Sequence, residues 1–300
     1  MRRLIGPVVS FLGAFLVAVA LFAQFYMSTA LLKTPLDVDE IIAVDGTAQV
    51  PDAKGNVQET PVLAWSVYHV DTTLSDSKVV SFQNSQCLVK DIGNPTGCVS
   101  SDDPQDRLLS ATTDNYATDR RTAESLNDPK YVPAGSVPHS GVINKWPFLA
   151  EKKTYTYWDD SLQKGVQATY AGTDKLDGHE VYVYDVQVPK TEMDVAEGVK
   201  GYYTDDKQLY VDQLTGSVVN QVEHQVRTDL DGNPVIDLHI QFTDAQVKKL
   251  IDEARTADGQ LTLIRKIVPI VGYVVGIPLF LVGFLLTRRS RRSPSSTTTT

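Results

Sequence analysis

Three hundred residues with 28 basic and 37 acidic side chains carry a net charge of −9, enough chain for one or two domains. Six arginines (Arg2, Arg3, Arg288, Arg289, Arg291 and Arg292) lie outside the segment Lys33 to Lys266, which leaves 22 basic against 37 acidic residues there, a net of −15. That charge repels phosphates and argues against DNA or RNA as a partner.

Leu4 to Phe25 is apolar except for Ser10 and Gln24. It follows Arg2 and Arg3 and is longer than the core of a cleaved signal peptide, so it reads as an uncleaved signal-anchor span. Pro35 stops the helix, and Ile41 to Val44 reads as a strand. Asp45-Gly46 and Gly55-Asn56 are turn signals. Val62 to Val70 and Lys78 to Phe82 are strands, rich in β-branched and aromatic residues.

Cys87 and Cys98 are the two cysteines. In an oxidising compartment they are expected to join, around a reversal that holds Gly93, Asn94, Pro95 and Gly97. Asp102 to Asp128 is polar and weakly patterned, with a helix expected around Ala111 to Leu126. Pro129 to Pro138 reads as a long loop.

From Thr154 the alternation is clear. Thr154 to Trp158, Val166 to Ala171, Glu180 to Val188, Gln208 to Asp212, Ser217 to Val226 and Val235 to Phe242 are strands, with turns at Gly172 to Gly178 and Asp229 to Pro234. Neighbours in this series are expected to pair as an antiparallel meander. Thr243 and Gln246 form a T-x-x-Q capping box for a helix whose apolar face is Val247, Leu250, Ile251 and Ala254, with Gly259 as its stop.

Ile267 to Leu286 is uncharged and about 30 Å long as a helix, the thickness of a bilayer core. Gly272 and Gly276 form a small-xxx-small pattern suited to packing on the first span. Arginines flank both spans on the side away from the acidic segment, which predicts cytoplasmic termini in the plasma membrane. The expected organisation is residues 1–27 as N-terminus and first span, and 28–266 as a β-rich extracytoplasmic domain. Residues 267–287 are the second span, and 288–300 a disordered tail that can meet anionic lipid. The fold class is α+β, mainly β: an antiparallel β-rich domain flanked by N- and C-terminal transmembrane helices.

Several residues carry a family likeness. They are Gly6-Pro7 in the first span, Leu32 to Asp37 after it, Trp146-Pro147-Phe148, Glu151 to Tyr155, Tyr157 to Asp159, Gln208 to Asp212 with Thr215-Gly216, and Phe242-Thr243. On these the chain resembles the actinobacterial porin PorA family, otherwise described as a domain of unknown function. The resemblance covers nearly the whole chain and implies a channel role by name; it brings no catalytic residues. A spanning β-barrel needs many strands with an outward apolar band. Here two apolar helices enter the bilayer and the strands alternate with acidic turns. The two-span layout is also similar to that of scavenger-receptor proteins that carry lipid through a tunnel, at the level of fold analogy.

No nucleophile elbow, P-loop or dinucleotide fingerprint occurs, so no enzyme, cofactor or metal site is expected. His224 and His239 can approach on paired strands, but read as ordinary polar sheet positions. The aromatic residues Trp146, Phe148, Tyr155, Tyr157, Trp158, Tyr182 and Tyr184 form a candidate groove for an acyl chain or glycolipid. The leading expectation is a cell-envelope protein that binds or transfers such a lipid. The alternatives are a porin or channel subunit, or a structural module with an envelope protein partner.

Overall fold

The computed structural model describes residues 2–27, 30–51, 55–196 and 198–291. Of the expected disordered tail, 288–300, the first four residues continue the last helix to Arg291, and 292–300 lie outside the described residues. In chain order the elements are α1 (Arg2–Phe22), β1 (Asp39–Pro51), β2 (Val57–Val70), β3 (Val79–Lys90), β4 (Leu108–Asp119), β5 (Ser125–Leu126) and β6 (Tyr155–Asp159). They continue with β7 (Lys164–Leu176), β8 (His179–Ala196), β9 (Val199–Asp212), β10 (Val218–Asp229), β11 (Pro234–Phe242), α2 (Asp244–Thr262) and α3 (Val268–Arg291). The fold is mainly β, with apolar helices near both ends. It divides into two compact units, Met1–Lys33 with Thr256–Thr300, and Thr34–Arg255.

In the first unit α1 and α3 form an antiparallel pair. Leu4–Met27 has 24 residues and a length of about 36 Å, long and apolar enough to cross a membrane, and α3 is comparable. Glycines let the two backbones meet, as small residues do inside bilayers. A Cβ at Gly6 would lie 2.6 Å from Thr287 Oγ1, one at Gly272 2.6 Å from Ala20 Cβ, and one at Gly276 2.9 Å from the Gly13 carbonyl oxygen. The small-xxx-small pattern therefore does face α1. The opposite faces expose Leu4, Phe11, Phe15 and Phe22 on α1, and Ile270, Val274, Leu281 and Leu285 on α3. Tyr273 donates a hydrogen bond to Gln24 Oε1 at 2.6 Å.

The second unit is a curled antiparallel sheet of eleven strands, ordered β5-β4-β3-β2-β1-β11-β10-β9-β8-β7-β6. Two meanders join where β1 pairs with β11, Val44 opposite Phe242. The two edges are bridged through one residue: Val142 pairs with Glu124 on one side and Tyr157 on the other. Val142 N–H donates to Thr156 and its carbonyl accepts from Trp158, each at 2.9 Å.

The apolar stripe of α2 (Leu250, Ile251, Ala254) packs on Ile42, Val44, Val181, Val219 and Phe242. Thr243 caps it by accepting from the Gln246 N–H at 3.2 Å. The Gln246 side chain does not close the box; its Oε1 faces the Ala43 N–H at 3.5 Å.

Four sequence expectations are corrected. Ala111 to Leu126 is not a helix but most of β4 and β5. Thr112, Asp114, Tyr116 and Thr118 alternate with Ala111, Thr113 and Asn115, and β3 supplies the pairing. Asp45-Gly46 is no turn but mid-strand in β1. Gly46 serves close approach there, since a Cβ would collide with the His239 carbonyl of β11. The expected turn from Gly172 begins later, because β7 runs to Leu176 past an irregularity between Tyr170 and Gly172. Gly259 does not stop α2, which continues to Thr262 through residues that still favour helix.

Candidate functional site

Contacts between strands that are not neighbours identify the inner face of the curl. Lys207 of β9 lies 5.6 Å from the ring centre of Tyr157 on β6. Gln86 Nε2 of β3 donates to Asp160 Oδ2, just past β6, at 3.2 Å. Tyr203 donates to Asp159 Oδ2 at 3.0 Å. Period-two alternation then puts Ser66, Gln86, Asp205, Lys207, Glu223 and Gln225 inside. It puts Asp185, Gln187, Asp206, Gln208, His224, Asp237 and His239 outside. That outer wall carries charge where a lipid-facing barrel would carry an apolar band.

Lys207 is the centre of the inner cluster. Its ammonium lies 3.3 Å from Asp205 on the same strand and 3.5 Å from Glu223, its direct cross-strand partner. Gln221 and Gln225 donate to the two Glu223 oxygens at 2.7 and 3.3 Å. The Asp205 carboxylate is fully buried, and beyond the Lys207 ammonium no donor reaches its oxygens among the described residues. Burial alone would lower the Lys207 ammonium; Glu223, Tyr157, Asp205 and Tyr203 outweigh it and raise it well above the usual lysine range. Burial raises the Asp205 carboxyl to about 7 against the pull of Lys207, with Glu223 and Asp159 adding to the rise. Asp160 is raised as well, first by burial, with Lys207 and the Gln86 hydrogen bond opposing. The raised Asp205 carboxyl lets the cluster hold a proton beside the Lys207 ammonium.

The expected aromatic groove is distributed differently. Trp146, Tyr155 and Tyr184 are buried, and the Trp146 ring lies 5.0 Å from Tyr184, 5.8 Å from Tyr157 and 6.2 Å from Tyr155. These rings fill the space between them, with Val142, Ala168 and Leu209. Trp158 belongs to a separate cluster, 4.4 Å from the His139 ring and beside Tyr116 and Phe82. Tyr182 is half-buried at the margin and meets Tyr170 edge-on. Phe148 is half-buried under the Lys145 ammonium, 3.7 Å from its ring centre. Burial lowers Lys145 to about 7, with Asp212 opposing. A depression of about 220 Å³ opens at Asp185, Gln187, Asp206, Gln208 and Val222, and none of the seven groove residues lines it. Cys87 and Cys98 form the expected disulfide, Cα atoms 6.0 Å apart.

Sequence reasoning missed Lys207, Asp205 and Glu223. The signal was present: three charges on one face of strands β9 and β10, with valine, leucine and tyrosine as neighbours.

The profile of the family described as Porin PorA matches residues 5–285. The chain belongs to the Porin PorA family. It is similar to a protein named Porin PorA from Corynebacterium amycolatum, 21% identical over 97% of this chain and 100% of that relative. A second relative of the same name, from Corynebacterium resistens, is 22% identical over 50% of this chain and 39% of its own length. The Porin PorA match agrees with the resemblance seen in the sequence, and it spans both apolar helices and the whole curled sheet.

Proposed function

We propose that this chain is a channel-forming subunit of a cell envelope. The observation that carries the reading is the inward turn of charged and amide side chains, Asp160, Asp205, Lys207, Glu223 and Gln86, within a curled sheet whose outer wall is also polar. The antiparallel helix pair anchors the chain in the plasma membrane. Arginines beside both spans favour cytoplasmic termini, and the disulfide favours an oxidising, extracytoplasmic setting for the sheet. Two helices alone enclose no pore, so further copies or an envelope partner complete the path. The excess of carboxylates makes cations the favoured permeant. The names of the Porin PorA relatives support this reading over lipid transfer, because the rings expected to line a lipid groove pack on one another instead.

The test is conductance across planar bilayers with the purified full-length chain. Discrete steps with cation preference are expected, and Lys207→Met and Asp160→Asn should shift the reversal potential. Absence of steps at all protein concentrations, alone or with total envelope extract, would overturn the proposal.

A further inference from the structure

We infer that His224, His239 and Asp237 form a binding site for a divalent transition-metal ion of the zinc type, on the outer wall of the sheet. The site does not depend on the channel reading. His224 on β10 and His239 on β11 are direct cross-strand partners, and Asp237 lies two residues from His239 on the same face. The imidazole rings stack, centres 3.8 Å apart and planes 14° from parallel. Both Nε2 atoms converge on one oxygen: Asp237 Oδ1 lies 2.9 Å from His224 Nε2 and 3.4 Å from His239 Nε2. The three donor atoms all fall within 4.8 Å of one another.

These distances suit a metal. Bonds of 2.0–2.1 Å in a tetrahedral site set donor atoms about 3.3 Å apart. Because the rings lie nearly parallel, each must also turn about its Cβ–Cγ bond to aim its Nε2 lone pair at one ion. Two imidazoles with one carboxylate match zinc, copper or nickel, and are a poor set for calcium or magnesium, which prefer all-oxygen shells. As the Nδ1–H tautomer each ring offers its Nε2 lone pair, and the carboxylate offsets part of the ion's charge. Asp206, the cross-strand partner of His224 on β9, adds a second carboxylate to the same row. The three ligands are part-exposed, which leaves further positions for water. Both histidines stand on the paired strands of one hairpin, so binding asks for side-chain rotation and no change of strand register.

The experiment is zinc titration of the full-length, tag-free chain in detergent, in competition with a chromophoric chelator. One ion per chain at low-micromolar affinity is expected. His224→Asn and His239→Asn should each weaken it at least about tenfold. His69→Asn, elsewhere on the sheet, should leave it unchanged, and excess calcium should not displace zinc. Melting curves without zinc should coincide for parent and variants, which separates ligand loss from misfolding. Binding no tighter than millimolar, or affinity retained in both histidine variants, would overturn the inference.

Discussion

Gly276 of α3 rests against the backbone of Gly13 in α1, so closely that a Cβ on Gly276 would come 2.9 Å from the Gly13 carbonyl oxygen. A larger side chain must push the helices apart. Gly276→Leu is expected to cost about 1–3 kcal/mol of helix-pair stability, the usual range for overpacking. An SDS titration of the full chain, followed by helical circular dichroism, reads it as a lower midpoint. Equal midpoints for parent and variant would contradict the contact.

Lys207 holds two buried carboxylates, at 3.3 and 3.5 Å. Lys207→Met removes the shared cation and leaves both without it. Breaking a buried ion pair from one side costs about 3–5 kcal/mol. Urea unfolding by tryptophan fluorescence should show the loss, because Trp65, Trp146 and Trp158 all lie in the sheet unit. Adding Glu223→Gln should return part of it; a double variant no better than the single would argue against the pairing.

Stability should depend on pH through Asp205. Its carboxyl is raised to about 7 in the fold, chiefly by burial. Between about pH 4 and that value the folded protein holds a proton that the unfolded chain has released, so stability falls as pH rises across the window. Asp205→Asn should flatten this slope by about one proton. Urea midpoints from pH 4.5 to 7.5 test it, and an undiminished slope in the variant would assign the proton elsewhere.

The Cys87–Cys98 bond closes the reversal after β3. The chain-entropy account gives about 3 kcal/mol for a loop of that size. Cys87→Ser, Cys98→Ser and the reduced parent should show the same lowered urea midpoint. A reducing agent that further destabilised either variant would point to a different role.

Much of the sheet was legible from alternation. Glu180 to Val188 lies in β8 and Val235 to Phe242 in β11, because each strand had polar and apolar faces of distinct character. The expectation failed where both faces were polar. Around Ala111 to Asp119 the outer side carries Ala111, Thr113, Asn115, Ala117 and Asp119 and the inner side Thr112 and Asp114, so no apolar period marks the strand. The same ambiguity hid the Lys207 cluster. A lysine beside two aspartates resembles a solvated turn until its neighbours curl around it. Gly46 misled for a different reason, since a glycine required by a crossing backbone looks like one required by a turn. Trp146 and Tyr184 stand out in the sequence as part of an aromatic concentration, but aromatic content alone does not distinguish a groove wall from a filling. The histidine pair was visible as a register relation, and only the convergence of both rings on Asp237 gave it chemical meaning.

The bridging residue Val142 has a mechanical consequence. Among the described residues ten strand pairs form ladders, five of them with a register irregularity, whereas the remaining junction depends on the few hydrogen bonds around one residue. Such a structure unzips at its seam, and β5, only two residues long, has little else to hold it there. Under lateral strain the curl would widen at Val142, beside Tyr157, while Lys207 kept Asp205 on β9 and Glu223 on β10. Amide exchange should be fastest along that seam, and the interior charges would meet solvent from that side first.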